Sequence, residues 1–158
     1  MSSSMTLSQF LADARVTERA GAPVLGAVAA ADREFSGVRY QAPADYIVRE
    51  LRGDKMRTLA GVYDEFAAAL QFPYYFGANK DAFDECLRDL DDFIGRAAGY
   101  VLVVRHAEQL LADQPGEREW FVEAMRDSAA YWAKRDTAYR VVQQGDPKAL
   151  NAVAVTLS

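Results

Sequence analysis

The clearest alternation of hydrophobic and polar positions lies between residues 46 and 143. Tyr46 to Leu51 (YIVREL) has the composition of a short strand and is stopped by Arg52-Gly53-Asp54. Thr58 suits the N-cap of a helix in which Leu59, Val62, Tyr63, Phe66, Ala69 and Leu70 recur at helical spacing. That helix must end before Pro73, because the residue ahead of a proline is pushed out of helical geometry. Phe72 to Asn79 (FPYYFGAN) predicts an aromatic loop, with Gly77 available for a positive φ and Asn79 capping a second helix to about Phe93. Tyr100 to Val104 is an unbroken apolar run, the pattern of a strand covered on both faces. Ala107 to Ala112 predicts a short helical turn. Beyond Pro115-Gly116, Phe121, Ala124, Met125, Ser128 and Trp132 form the inner stripe of a longer helix. Ala138 to Gln143 predicts a third strand, and the alternation of Val153, Val155 and Leu157 an additional C-terminal edge strand. This order predicts an α/β fold, a small three-stranded parallel sheet covered by helices.

Residues 1–43 read as an N-terminal extension, helical in part, ahead of a domain over 44–158 with its core at 46–143. A short helix is expected over Ser8 to Ala20, with Phe10, Leu11 and Ala14 on one side. Val24 to Ala31 is dominated by small residues and fits helix and strand equally.

Composition narrows the possible functions. A chain of 158 residues, 51% hydrophobic, can bury a core without disulfide or metal staples. Cys86 is the sole cysteine, so no intrachain disulfide forms and a reducing, cytoplasmic setting is expected. No leader pattern or long apolar run predicts export or membrane insertion. The net charge of −5 argues against direct binding to nucleic acid, which requires a basic surface. That charge is concentrated. Asp81, Asp84, Glu85, Asp89, Asp91 and Asp92 face only Arg88 within residues 81–92, so this window alone carries −5.

On a helical wheel, Phe83, Cys86, Leu87, Leu90 and Ile94 share one face, opposite Asp81, Glu85, Arg88 and Asp92, with Asp84, Asp89 and Asp91 on the flanks. A solvated surface helix accounts for part of this pattern, and Asp81 and Asp84 suit the positive end of the helix dipole. The remaining acids have the wrong sign for stability. Asp81 with Glu85 and Glu85 with Asp89 are like-charge pairs at i,i+4, each costing about 0.2–0.5 kcal/mol, while Asp89, Asp91 and Asp92 sit near the negative end. A basic partner supplies the missing compensation, since carboxylates along a rigid helix can fill a cleft built for phosphates. Of Tyr74, Tyr75 and Phe76, one or two are expected in the core and the rest exposed as interface anchors.

Catalysis has less support. Acids close together on a helix, as in Asp89-Leu90-Asp91-Asp92, diverge rather than converge on a metal, and the segment lacks the other ligands of a calcium loop. Cys86 falls on the apolar helix face and His106 just after a strand, which does not assemble a nucleophile with its base. Neither a glycine-rich phosphate loop nor zinc-ligand spacing occurs. The expectation is a non-enzyme without cofactor or metal.

The segment FPYYFGANKDAFDECL at 72–87 resembles the barstar family of intracellular ribonuclease inhibitors. The resemblance extends over roughly Tyr46 to Gln143. It implies that Tyr75 is the binding-loop tyrosine, Gly77 and Asn79 the loop glycine and asparagine, and Asp81 the first acidic contact. Glu85 falls on the aspartate that enters the nuclease's phosphate site, and Asp127 on a glutamate of the last helix that also faces the nuclease. Asp84 stands where the family has tryptophan, Glu85 is one methylene longer than its counterpart, and Tyr131 lies near another acidic family position. The implied function is stoichiometric inhibition of a basic ribonuclease by active-site occlusion. The alternative is an immunity or interaction module for another cationic protein or toxin.

Overall fold

The computed structural model describes residues 5–12 and 23–157. Among these residues the sheet has six strands rather than the expected three: β1 (Met5–Thr6), β2 (Leu25–Val28), β3 (Tyr46–Arg52), β4 (Gly99–Arg105), β5 (Ala138–Gln144) and β6 (Val153–Thr156). Their spatial order is β1-β6-β2-β5-β4-β3, with every pairing parallel. The three strands read from the sequence are β3, β4 and β5, in register through Leu51↔Val104 and Leu102↔Val141. Beyond β5 the sheet continues through β2, where Leu25 lies opposite Val141, and then through β6 and β1. The C-terminal strand is therefore not an edge; β1 covers its outer side. Short strands explain the discrepancy. Two residues in β1 and four in β2 are too few to carry a readable period, and their pairing depends on partners distant in sequence.

Helices α1 (Leu7–Ala12), α2 (Asp32–Phe35), α3 (Leu59–Leu70), α4 (Lys80–Leu87), α5 (Leu90–Ile94) and α6 (Arg118–Ala133) cover both faces of the sheet. The helix expected over Ser8 to Ala20 begins as α1, and its continuation lies outside the described residues. Strand β4 accounts for the two-sided burial. Tyr100, Leu102 and Val104 pack with Leu51, Phe66, Phe121, Tyr139 and Val141 on the side of α3 and α6. Val101 and Val103 turn the other way, toward Leu7, Phe10 and Leu11 of α1 and Phe35 of α2. Gly26 in β2 leaves the room this second layer requires: a Cβ there would lie 2.7 Å from Val155 Cγ2 and 2.9 Å from Phe10 Cζ.

Helix α3 starts as expected, with Thr58 Oγ1 accepting from the Gly61 amide at 3.1 Å. It ends at Gln71, whose φ of 56° turns the chain toward Pro73. The second predicted helix divides into α4 and α5 at Arg88-Asp89. The Arg88 and Asp89 amides bond three residues back, to Glu85 and Cys86. Trp132 Nε1 of α6 donates to the Leu87 carbonyl at 2.9 Å, fixing the end of α4 against α6. No helix among the described residues is long and apolar enough to cross a membrane.

Candidate partner-binding site

The aromatic loop separates its three rings. Phe76 folds inward, 5.1 Å from the Phe72 ring and 6.0 Å from that of Tyr63, both edge-on. Tyr74 is fully exposed and Tyr75 is 71% exposed, their rings 5.6 Å apart and nearly perpendicular. A turn in which the Phe76 amide donates to the Pro73 carbonyl at 2.9 Å holds this arrangement. Positive φ falls on Ala78, at 49°, and not on Gly77 as expected. Gly77 is needed for space instead: a Cβ there would come within 3.0 Å of Asn79 Nδ2, which donates to the Gly77 carbonyl at 3.3 Å. Asn79 also caps α4, its Oδ1 accepting from the Ala82 amide at 2.9 Å. One side chain thus joins the loop to the helix.

The inner face of α4 is the predicted one, with Phe83, Cys86 and Leu87 buried. Asp81 and Glu85 are exposed on the outer face. Lys80 anchors the first turn, its Nζ 2.7 Å from Glu117 Oε2 and 5.2 Å from the centre of the Trp120 ring. Helix α6 carries Asp127, also exposed, alongside α4. Asp84 lies half-buried toward α6, with one carboxylate oxygen enclosed and lacking a hydrogen-bond partner. Burial pushes its carboxyl above the ordinary value; Arg88 opposes the shift, and the charges of Asp127 and Asp81 add to it. The fold therefore brings Asp81 and, from a helix separate in sequence, Asp127 within electrostatic reach of Asp84. Among the described residues none of Asp81, Asp84, Glu85 and Asp127 has a salt-bridge partner.

Two neighbours of this face were absent from the candidate set read from the sequence. Tyr74 stands fully exposed next to Tyr75, and loop residues have no periodicity from which to read its direction. Arg135 lies over Tyr131, its guanidinium carbon 3.6 Å from the ring centre. Their spacing of four residues was the available signal.

Cys86 and His106, the two residues weighed for nucleophilic chemistry, stand on different elements. Cys86 is buried beneath α4, where burial first and then Asp89 and Glu85 push its thiol upward, away from the reactive thiolate. His106 sits beyond β4, its Nε2 3.3 Å from Asp32 and its Nδ1 3.7 Å from Glu108. Among the described residues no group of three or more histidine, cysteine or acidic side chains converges as a metal site would.

No curated protein matches this chain. The barstar (barnase inhibitor) family does match, over residues 46–144. That span includes the whole of β3, β4 and β5, the aromatic loop, α4 and Asp127, and is well over half of the sequence. The chain belongs to the barstar (barnase inhibitor) family.

Proposed function

We propose that this protein is a stoichiometric inhibitor of a basic ribonuclease, closing the active site with the aromatic loop and the outer face of α4. The observation that carries this reading is a pair of exposed tyrosines in the loop directly ahead of α4 together with exposed carboxylates on α4 and α6 that, among the described residues, have no salt-bridge partner. Unpaired acids cost the isolated protein a little stability and become favourable when a cationic cleft desolvates them. Asp81, Glu85 and, from the neighbouring helix, Asp127 engage the cations that would otherwise hold RNA phosphates. Tyr74 and Tyr75 supply large apolar area with little rotamer entropy to lose. Gly77 and Asn79 set the loop, and Asp84 lies in the groove between the two helices. The protein needs no cofactor in this role and catalyses nothing.

The test is titration of the purified chain into barnase and a panel of secreted basic ribonucleases. Inhibition complete at one equivalent of inhibitor is the expected result. Asp81→Ala and Glu85→Ala should each weaken the complex by about 2–5 kcal/mol, the usual cost of truncating one member of a buried charge pair. Association should slow as salt rises. No complex with any nuclease would overturn the proposal. Capture of a different cationic protein by the same face, lost on the same substitutions, would favour the immunity-module reading.

A further inference from the structure

Arginines border the acidic face at the far end of α6. Arg135 is held there by two contacts: its guanidinium stacks on Tyr131 at 3.6 Å, and its Nη1 donates to the Tyr131 carbonyl at 3.1 Å. It also lines a crevice of about 260 Å3 with Arg96, Asp91, Tyr100, Trp132 and Thr137. Arg96 reaches the crevice from the turn after α5, where the Gly95 carbonyl accepts from Tyr100 Oη at 2.7 Å. Among the described residues neither Arg96 nor Arg135 has a salt-bridge partner. Two guanidiniums against the single carboxylate of Asp91 leave the crevice positive, whereas the adjoining face is negative.

The crevice lies below the range of about 300–1,000 Å3 usual for small-molecule pockets, and its floor is aromatic. It suits one inserted side chain. Planar guanidinium forks match carboxylates, and an arginine already fixed on a ring loses little further freedom on binding. Tyr131 follows Asp127 by four residues on α6, roughly 6 Å along the axis, so acidic patch and basic crevice adjoin.

We propose that the Arg96–Arg135 crevice receives an aspartate or glutamate side chain of the same protein whose cationic site engages α4. The inference rests on the inhibitor reading above and specifies its target: a basic ribonuclease with an acidic residue beside its active site. It also supplies selectivity, since a nuclease bearing lysine or arginine at that place meets like charge.

The experiment measures affinities of the full chain and of the Arg135→Glu, Arg96→Glu and Asp81→Ala variants for barnase and the same ribonuclease panel, with thermal melts establishing that each variant is folded. For any nuclease bound by the parent, Arg135→Glu is expected to weaken binding at least tenfold, with Arg96→Glu moving in the same direction. Exchanging the contacting acid of the nuclease for lysine should restore affinity for Arg135→Glu. A loss of less than tenfold in Arg135→Glu, with Asp81→Ala clearly impaired, overturns this inference and leaves the inhibitor reading intact. Absence of binding to every nuclease, or normal binding by Asp81→Ala, overturns both.

Discussion

Two acidic residues illustrate opposite uses of a carboxylate. Glu65 is 8% exposed and accepts from the Arg52 amide, Nε and Nη2 at 2.8, 2.9 and 2.9 Å. The Arg52 side-chain bond, outweighing burial, holds its carboxyl below the ordinary value of 4.5. An acid depressed in the folded state stabilises fully above the unfolded value and loses that contribution as pH falls through the folded one. Glu65→Gln should therefore cost about 1.5–3 kcal/mol at neutral pH and flatten stability below pH 4.5, measured by urea unfolding across pH. Asp84 behaves in reverse. Its carboxyl is raised above the ordinary 3.8, so its ionised form opposes folding at neutral pH. Asp84→Asn should leave the melting temperature unchanged or higher while weakening the nuclease complex. A cationic partner favours the ionised form, so affinity should fall as pH drops through the raised value, and calorimetry should register proton release there. The identity of these acids was legible in the sequence. The enclosure of one Asp84 oxygen was not, because it depends on tertiary packing that brings the charge of Asp127 on α6 to bear on it.

Elements carry the local logic of the site. The cap at Asn79, the apolar face of α4 and the loop ahead of it all depend on residues within a turn or two, and all were readable from the sequence. Asn79→Ala removes the bond to the Ala82 amide and the tie to the Gly77 carbonyl. It should cost about 0.5–2 kcal/mol in thermal unfolding and also reduce partner affinity. A stability loss with affinity intact would separate the cap from the site. The division between α4 and α5 was hidden because the apolar spacing of Phe83, Leu87, Leu90 and Ile94 runs through it unbroken. Its end is fixed from outside the segment, by the Trp132 indole on the Leu87 carbonyl. Likewise, the composition of the aromatic loop promised an exposed ring, and the packing of Phe76 on Phe72 and Tyr63 selected the two tyrosines as the exposed pair.

At the scale of the whole molecule, the family-matched span at 46–144 supplies only part of the sheet. Strand β2 completes the open side of β5, and among the described residues β6 pairs with β1 and β2 alone. A chain starting at residue 44 would leave β6 without a neighbouring strand and would uncover Val101, Val103 and Val142, which pack beneath α1 and α2. Such a truncation should lose cooperative unfolding and its near-ultraviolet dichroism. A sharp urea transition in the truncated chain would show instead that the first 43 residues are dispensable for folding. The candidate site lies on the opposite face of the sheet, over the cluster holding Phe66, Phe83 and Phe121. The N-terminal strands thus support the fold without contributing any of the candidate site residues.

The central strands, the capped helices, the aromatic loop and the acidic face are legible along the chain, since each depends on short-range periodicity, a cap or a proline. Tertiary structure decided where β1, β2 and β6 pair, which rings turn outward, where the acidic helix breaks and that Asp127 approaches Asp84. It also decided that Arg135 on Tyr131 shares a crevice with Arg96. These outcomes are set by packing and charge between residues far apart in the chain, for which a local pattern has no counterpart.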